Sequence, residues 1–218
     1  MKIIAVLVGI VLLLLGVVAG WRAVAGRLGA RGELWVQSRR NGDREVRYGQ
    51  RVTLPMGRRI TSGFIVHLPA GYADSEAAWP LVVYLHGSGE SGQDLDRVVE
   101  SGLTKRARET DLPFIVLAPQ CPREDDWTYR GQLKRVMGLV DYVAVQYRVD
   151  PRRIYLTGNS MGGYATWSLA CRYPDRFAAI IPICGSTGTG VASRIKHIPA
   201  WVFHGALDRA ISVNASRK

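Results

Sequence analysis

The residue types that acyl transfer needs occur together at residues 158–162, which read GNSMG. This pentapeptide follows the apolar run 154–156 and precedes a helical pattern. On a sharp strand-to-helix turn a serine is exposed for nucleophilic attack, and the flanking glycines avoid Cβ collisions with neighbouring backbone. The amides of the helix N-terminus then favour developing negative charge. We therefore predict Ser160 as a nucleophile on an elbow formed with Gly158 and Gly162; the alternative is a glycine-rich turn with an idle serine.

A second glycine-rich loop, HGSGE at residues 86–90, follows the apolar run 81–85. Acyl transfer builds an oxyanion, which needs one N–H group from the residue after the nucleophile and one from the loop after an earlier strand. The backbone amides of Met161 and Ser88 are the candidates for this oxyanion hole. We interpret His86 as a brace that hydrogen-bonds within the loop, not as a catalytic base.

A third motif, HGALD at residues 204–208, follows the apolar run 200–203. In the order serine, acid, histidine, a carboxylate on a loop that follows a late strand is the acid of a catalytic triad. Asp208 is that candidate. The alternative is that Asp208 caps the N-terminus of a following helix.

Short apolar runs alternate with helical patterns along the rest of the chain. Strands are predicted at 60–68, 81–85, 114–117, 154–156, 178–183 and 200–203, and helices at 132–148 and 160–173. This alternation is typical of an α/β domain with a mainly parallel sheet flanked by helices. The carboxyl ends of three of these strands therefore position the three motifs.

The runs LPAGY, WPLVVYLHGSGESG, LAPQCP, DPRRIYLTGNSMGGYATWSLACRYPDRFAAIIPICG and IPAWVFHGALD resemble carboxylesterases of the α/β-hydrolase superfamily. More narrowly, they resemble exported esterases and peptidases akin to polyhydroxybutyrate depolymerases, feruloyl esterases and dienelactone hydrolases. The resemblance covers about residues 60–217. It implies Ser160 as nucleophile, Asp208 as triad acid, and oxyanion donors near Ser88 and Met161. It also places Trp127 as a possible wall of the acyl pocket, with ordinary loop packing as the alternative.

The chain departs from that family in its histidines. The family's catalytic histidine follows the acid, whereas His67, His86, His197 and His204 all precede Asp208. We therefore expect a C-terminally incomplete domain that lacks the last strand and helix of the α/β-hydrolase fold. The alternatives are a base recruited from His86 or His204, or a fold without activity.

The N-terminal segment has the character of a membrane or signal sequence. Residues 3–21 carry no charge over nineteen positions, which fits a signal anchor or a signal peptide cleaved after 23–25. The alternative is a buried core helix. We predict a basic linker over 22–44 and the hydrolase domain over 45–218. The arginines after the apolar segment favour a cytoplasmic domain, while the resemblance implies export.

Composition excludes several classes of protein. The 218 residues are 47% apolar and 22% charged, which excludes wholesale disorder. Three cysteines without a Cys-x-x-Cys pair exclude a disulfide scaffold and a cysteine-rich zinc site. Residues 22–59 hold ten arginines and three acidic residues and so carry +7 of the net charge of +11, which indicates a solvated linker or attraction to anionic lipid. No nucleic-acid module, phosphate-binding loop or His-Glu-x-x-His motif occurs, so the sequence implies no nucleic acid, cofactor or metal.

The function hypothesis is hydrolysis of a carboxylic ester, in a small molecule or a polymer, through an acyl-Ser160 intermediate. The alternative is a catalytically inactive, membrane-tethered remnant of such an enzyme, because no histidine follows Asp208. We expect an exported protein, periplasmic or extracellular, with or without a membrane anchor. The sequence assigns neither the ester nor the oligomeric state.

Overall fold

The computed structural model describes residues 34–40, 44–53, 59–188 and 193–217. The apolar segment 3–21 lies outside these residues. Within the described ranges, no helix combines the length and the apolar character needed to cross a membrane.

Seven strands form one mixed sheet. They are β1 Leu34–Arg40, β2 Glu45–Thr53, β3 Arg59–His67, β4 Trp79–Leu85, β5 Ile115–Pro119, β6 Val149–Asn159 and β7 Ala179–Ile183. Their order across the sheet is β1-β2-β3-β5-β4-β6-β7. The pairs β1–β2, β2–β3 and β3–β5 are antiparallel, and β5–β4, β4–β6 and β6–β7 are parallel. The predicted α/β class is confirmed, and the candidate site lies at the parallel half.

Helices cover both faces of the sheet. They are α1 Asp96–Val99, α2 Gly102–Glu109, α3 Arg130–Gln146 and α4 Met161–Arg172, with short 3-10 turns at Ser88–Glu90, Pro174–Arg176, Ser193–Ile195 and Val213–Ala215. Successive side chains of a strand point to opposite faces. In β4, Leu81, Val83 and Leu85 accordingly join the core under α3 and α4, whereas Tyr84 joins the core under α1 and α2.

The linker predicted over 22–44 is wrong at its C-terminal end. Residues Leu34–Arg40 form β1, which pairs antiparallel with β2 at one edge of the sheet. The prediction relied on the scattered arginines of this stretch. Charged residues are compatible with an edge strand, because only one side of such a strand is paired.

The predicted strand at 200–203 lies beside β7. It makes two parallel bridges, Ala200 with Ile180 and Phe203 with Ile183. This pairing carries the HGALD segment to the carboxyl end of the sheet, next to the end of β7. The candidate acid is thereby placed at the same edge as the elbow.

Candidate active site

The elbow at Ser160 has the backbone conformation that its motif predicts. Ser160 has φ 54° and ψ −117°, a strained region for a residue other than glycine, and it directly precedes α4. The Ser160 N–H group donates to the Ile183 carbonyl at 2.9 Å. The turn is therefore held against β7 while the serine side chain stands at the helix N-terminus.

The glycines of the elbow are required by close backbone approach. A Cβ atom on Gly162 would lie 2.5 Å from the Leu85 carbonyl carbon and 2.8 Å from the His86 oxygen. A Cβ atom on Gly158 would lie 2.5 Å from the Gly162 oxygen. The elbow therefore packs directly on the end of β4, with no room for a side chain between them.

The loop after β4 lies against the elbow. The Tyr84 hydroxyl donates to Asn159 Oδ1 at 2.9 Å, and a Cβ atom on Gly87 would lie 3.0 Å from Asn159 Nδ2. Ser88 opens a 3-10 turn and Met161 is the first residue of α4. Among the described residues, neither of these two amides donates to a backbone carbonyl. A donor to an oxyanion needs a backbone amide that is unoccupied in this way.

His86 is confirmed as a brace. Its ring is fully buried; Nε2 accepts from the Cys121 N–H group at 2.9 Å, and Nδ1 donates to the Gly87 carbonyl at 2.5 Å. Burial lowers the pKa of His86 to about 4. His86 is therefore neutral near pH 7, and both of its ring nitrogens are occupied by backbone.

Trp127 lies in the core. Its side chain is fully buried, its indole N–H group donates to the His86 carbonyl at 3.0 Å, and the two rings meet edge to face. These are the contacts of loop packing, which was the alternative to a pocket wall. Together Trp127 and His86 fix the loop that carries the Ser88 amide.

Backbone amides of the turn that follows Asp208 fix its carboxylate. Its Oδ1 atom accepts from the N–H groups of Ala210 at 2.8 Å and Ile211 at 3.0 Å. The backbone hydrogen bond from Ile211, followed by that from Ala210, lowers the pKa of Asp208 below its ordinary value. The carboxylate is therefore ionised at neutral pH, and these two amides leave Oδ2 free for another partner.

His204 lies beside this carboxylate. Its Nε2 atom is 3.6 Å from Asp208 Oδ2 and 2.8 Å from the Ile211 carbonyl, and its Nδ1 atom is 2.7 Å from Ser216 Oγ. Within the described part of the chain, no histidine ring hydrogen-bonds to the Ser160 hydroxyl. The structure thus brings the elbow, the amides of Ser88 and Met161, and Asp208 to one edge of the sheet, and none of the described histidines is joined to the serine.

Cys184 is a residue of this region that the sequence did not single out. It follows β7, has φ 51°, and its N–H group donates to the Phe203 carbonyl at 2.8 Å. Its sulfur lies within 4.8 Å of a ligand atom of His204 and of one of Asp208. Its position directly after a strand at the site edge is the signal that could have identified it.

Comparison with known proteins shows the family of the chain. The Esterase family profile matches residues 55–189. Poly(3-hydroxyalkanoate) depolymerase C of Paucimonas lemoignei is 31% identical over 132 residues, which are 55% of this chain and 30% of the depolymerase. Acetylxylan esterase A of Emericella nidulans is 27% identical over 134 residues, which are 56% of this chain and 42% of that enzyme. The chain therefore spans less than half the length of these curated relatives.

A solved structure shows the fold that the chain shares with known esterases. The crystal structure of a thermostable esterase superposes with a TM-score of 0.62 at 34% sequence identity, covering 77% of this chain and 48% of that protein. The shared fold is the α/β-hydrolase fold, as the resemblance implies.

Proposed function

The chain belongs to the Esterase family, and we propose that it is a serine hydrolase that cleaves carboxylic esters through an acyl-Ser160 intermediate. The observation that carries this proposal is the strained elbow: Ser160 has φ 54° at the N-terminus of α4. A polar residue held at such a backbone angle indicates a functional constraint. Family membership makes ester hydrolysis the reaction that this elbow would serve.

In the proposed reaction, Ser160 Oγ attacks the ester carbonyl carbon and gives its proton to a base. The amides of Met161 and Ser88 donate to the oxyanion that forms on the carbonyl oxygen. Collapse expels the alcohol, which takes up the proton, and leaves an acyl ester on Ser160. Water then attacks the acyl group and releases the carboxylic acid.

Asp208 serves as the acid that orients the base. Its Oδ1 atom is fixed by the amides of Ala210 and Ile211, so Oδ2 can accept from an imidazole N–H group. Of the two histidines that were alternatives as a recruited base, His86 is unsuited, because it is buried and both ring nitrogens bond to backbone. His204 faces Asp208 and would have to turn from Ile211 and Ser216 before it could accept the Ser160 proton.

The test is hydrolysis of p-nitrophenyl acetate by the 218-residue chain, by Ser160→Ala and by Ser168→Ala. Ser168 lies on α4 and donates to the Tyr164 carbonyl at 3.0 Å, so it is a serine control on the same helix. We expect hydrolysis by the parent and by Ser168→Ala, with only the background rate for Ser160→Ala. Equal rates for the parent and Ser160→Ala would refute the proposal.

A second candidate function is a catalytically inactive, membrane-tethered remnant. The observation in its favour is that no histidine of the described residues bonds to Ser160. Loss of a triad member leaves only about 10³–10⁴-fold catalysis over water. A parent chain that is folded yet no faster than Ser160→Ala would favour the remnant over the enzyme.

We propose an ester of a small molecule or a polymer as the substrate, and export as the location. Support comes from the depolymerase and the acetylxylan esterase among the relatives, whose names specify polymeric substrates. Release of acid from poly(3-hydroxybutyrate), acetylxylan and p-nitrophenyl acetate, measured side by side, would separate the classes. A reporter fused after residue 60 would determine on which side of the membrane the domain lies.

A further inference from the structure

Three side chains that bind transition metals meet at the end of β7. They are Cys184, His204 and Asp208, and one ligand atom from each lies within 4.8 Å of the other two. All three are partly buried. We propose that these residues form a three-ligand Zn²⁺ site.

The distances suit zinc. Zinc bonds are about 2.0–2.2 Å to histidine nitrogen and carboxylate oxygen and about 2.3 Å to thiolate sulfur. Tetrahedral ligands at those lengths lie about 3.4–3.6 Å apart. His204 Nε2 and Asp208 Oδ2 are 3.6 Å apart, so these two atoms already have tetrahedral spacing. The Cys184 sulfur lies within 4.8 Å of a ligand atom of each of these two residues.

The charges and ligand types also select zinc. A thiolate and a carboxylate together neutralise a divalent cation, and a neutral imidazole completes a mixed sulfur, nitrogen and oxygen set. Calcium and magnesium prefer all-oxygen surroundings, so this set disfavours them. Without metal, the Nε2–H group of His204 donates to the Ile211 carbonyl at 2.8 Å. On binding, the imidazole gives up that hydrogen bond and its proton moves to Nδ1, while the thiol proton goes to solvent. The freed Nε2 lone pair, the thiolate and Oδ2 then bind the metal, and water fills the fourth position.

Partners behind the ligands hold them in place. The Asp208 Oδ1 atom is occupied by two amides, which leaves Oδ2 for the metal. The Ser216 hydroxyl donates to the Gly185 carbonyl at 2.9 Å, so it can accept the Nδ1 proton of His204. A second hydrogen bond of this kind fixes the ring and the tautomer of most zinc-binding histidines. The Cys184 N–H group donates a hydrogen bond to the Phe203 carbonyl, and this bond joins the two segments that carry the ligands.

The site would control activity, and this consequence rests on the proposed function. Asp208 is the acid of the proposed triad, so zinc bound to its Oδ2 atom removes the acceptor that the base requires. Bound Zn²⁺ would therefore inhibit ester hydrolysis. A chelator would restore the rate.

The direct test is a titration of the full chain, kept reduced, with Co²⁺ as a spectroscopic stand-in for Zn²⁺. We expect one equivalent of Co²⁺ to give a thiolate charge-transfer band, which one equivalent of Zn²⁺ abolishes. Cys184→Ser should lose the band, whereas Cys121→Ala should keep it, because Cys121 is buried elsewhere in the core. No band in the parent, or an unchanged band in Cys184→Ser, would overturn the site.

Two further variants keep the test decisive if Cys184→Ser does not fold. Asp208→Asn should weaken Co²⁺ binding at least tenfold, and Ser216→Ala should weaken it about 10–100-fold while the thiolate band persists. Unchanged affinity in both variants would contradict the proposal. Metal binding is read by absorbance and ester hydrolysis by product release. A hydrolytically inactive chain that still binds Co²⁺ would therefore refute the proposed function and not the zinc site.

Discussion

Gly162→Ala is the substitution that the elbow should tolerate least. The added Cβ atom would lie 2.5 Å from the Leu85 carbonyl carbon, 2.8 Å from the His86 oxygen, and closer still to the Leu85 oxygen. Cβ atoms essentially never approach other heavy atoms within 3.0 Å. All three neighbours are backbone atoms at the end of β4, so no side chain can turn away to relieve the overlap.

Relief requires α4 and the end of β4 to separate, which opens the packing beneath the elbow. Overpacking of a core usually costs about 1–3 kcal/mol, and a clash between backbone segments belongs at or beyond the upper end of that range. We expect Gly162→Ala to lower the free energy of unfolding by at least about 3 kcal/mol. It should also lower any ester hydrolysis, because the Met161 amide moves with the helix.

The assay is urea unfolding followed by tryptophan fluorescence, with Gly131→Ala as the control. Gly131 lies in the first turn of α3, and a Cβ atom there meets nothing within 4 Å. Alanine in a helix should raise the free energy of unfolding by about 0.5–1 kcal/mol relative to glycine. If Gly162→Ala unfolds within about 0.5 kcal/mol of the parent, the close approach of elbow and strand is refuted.

Three further predictions concern the braces and the acid. The pKa of His86 falls from 6.5 to about 4 on folding, so the unfolded chain binds a proton first as the pH falls. The free energy of unfolding should therefore drop by about 3 kcal/mol between about pH 6.5 and 4. In urea melts at several pH values, His86→Gln should remove that part of the pH dependence. Trp127→Phe should cost about 1–3 kcal/mol, because the His86 carbonyl loses its buried donor; thermal melts that match the parent would contradict this. Asp208→Asn should lower ester hydrolysis on the order of 10⁴-fold, while exposed Asp175→Asn should leave the rate unchanged.

The parts of the site that depend on local sequence could be predicted. Gly158 and Gly162 flank Ser160 at a strand-to-helix junction, and steric exclusion of Cβ atoms makes that pattern nearly diagnostic of its geometry. The bracing role of His86 followed from its place between a strand end and a glycine. In each case the determining contacts lie within one motif or between two adjacent strand ends.

Long-range contacts could not be predicted. The pattern of α3 gave no sign that Arg135 is buried, where it donates to the Gln120 and Gly63 carbonyls and the Ser62 hydroxyl. A single sequence shows which residues are apolar, but it does not show which distant carbonyls will meet a cation. The pairing of β1 with β2 depends likewise on a partner strand and not on local pattern.

The Cys184 cluster was missed for the same reason. Cys184 is distant in the chain from His204 and Asp208, and its meeting with them depends on the bridge between Phe203 and Ile183. No spacing rule for metal ligands covers this arrangement, since the ligands come from two neighbouring strand ends. The predicted strand at 200–203 indicates that Cys184 meets His204 and Asp208 only when the order of strands across the sheet is known.

The most direct measurement of the central claim is the site of covalent labelling by a fluorophosphonate. The full chain is treated with the probe, digested, and mapped by mass spectrometry, with Ser168 and the other serines as internal controls. We predict a single adduct on Ser160 that is absent from Ser160→Ala and reduced in Asp208→Asn. Labelling that is absent from Ser160 in the folded chain, or that is equal on Ser160 and Ser168, would contradict the account.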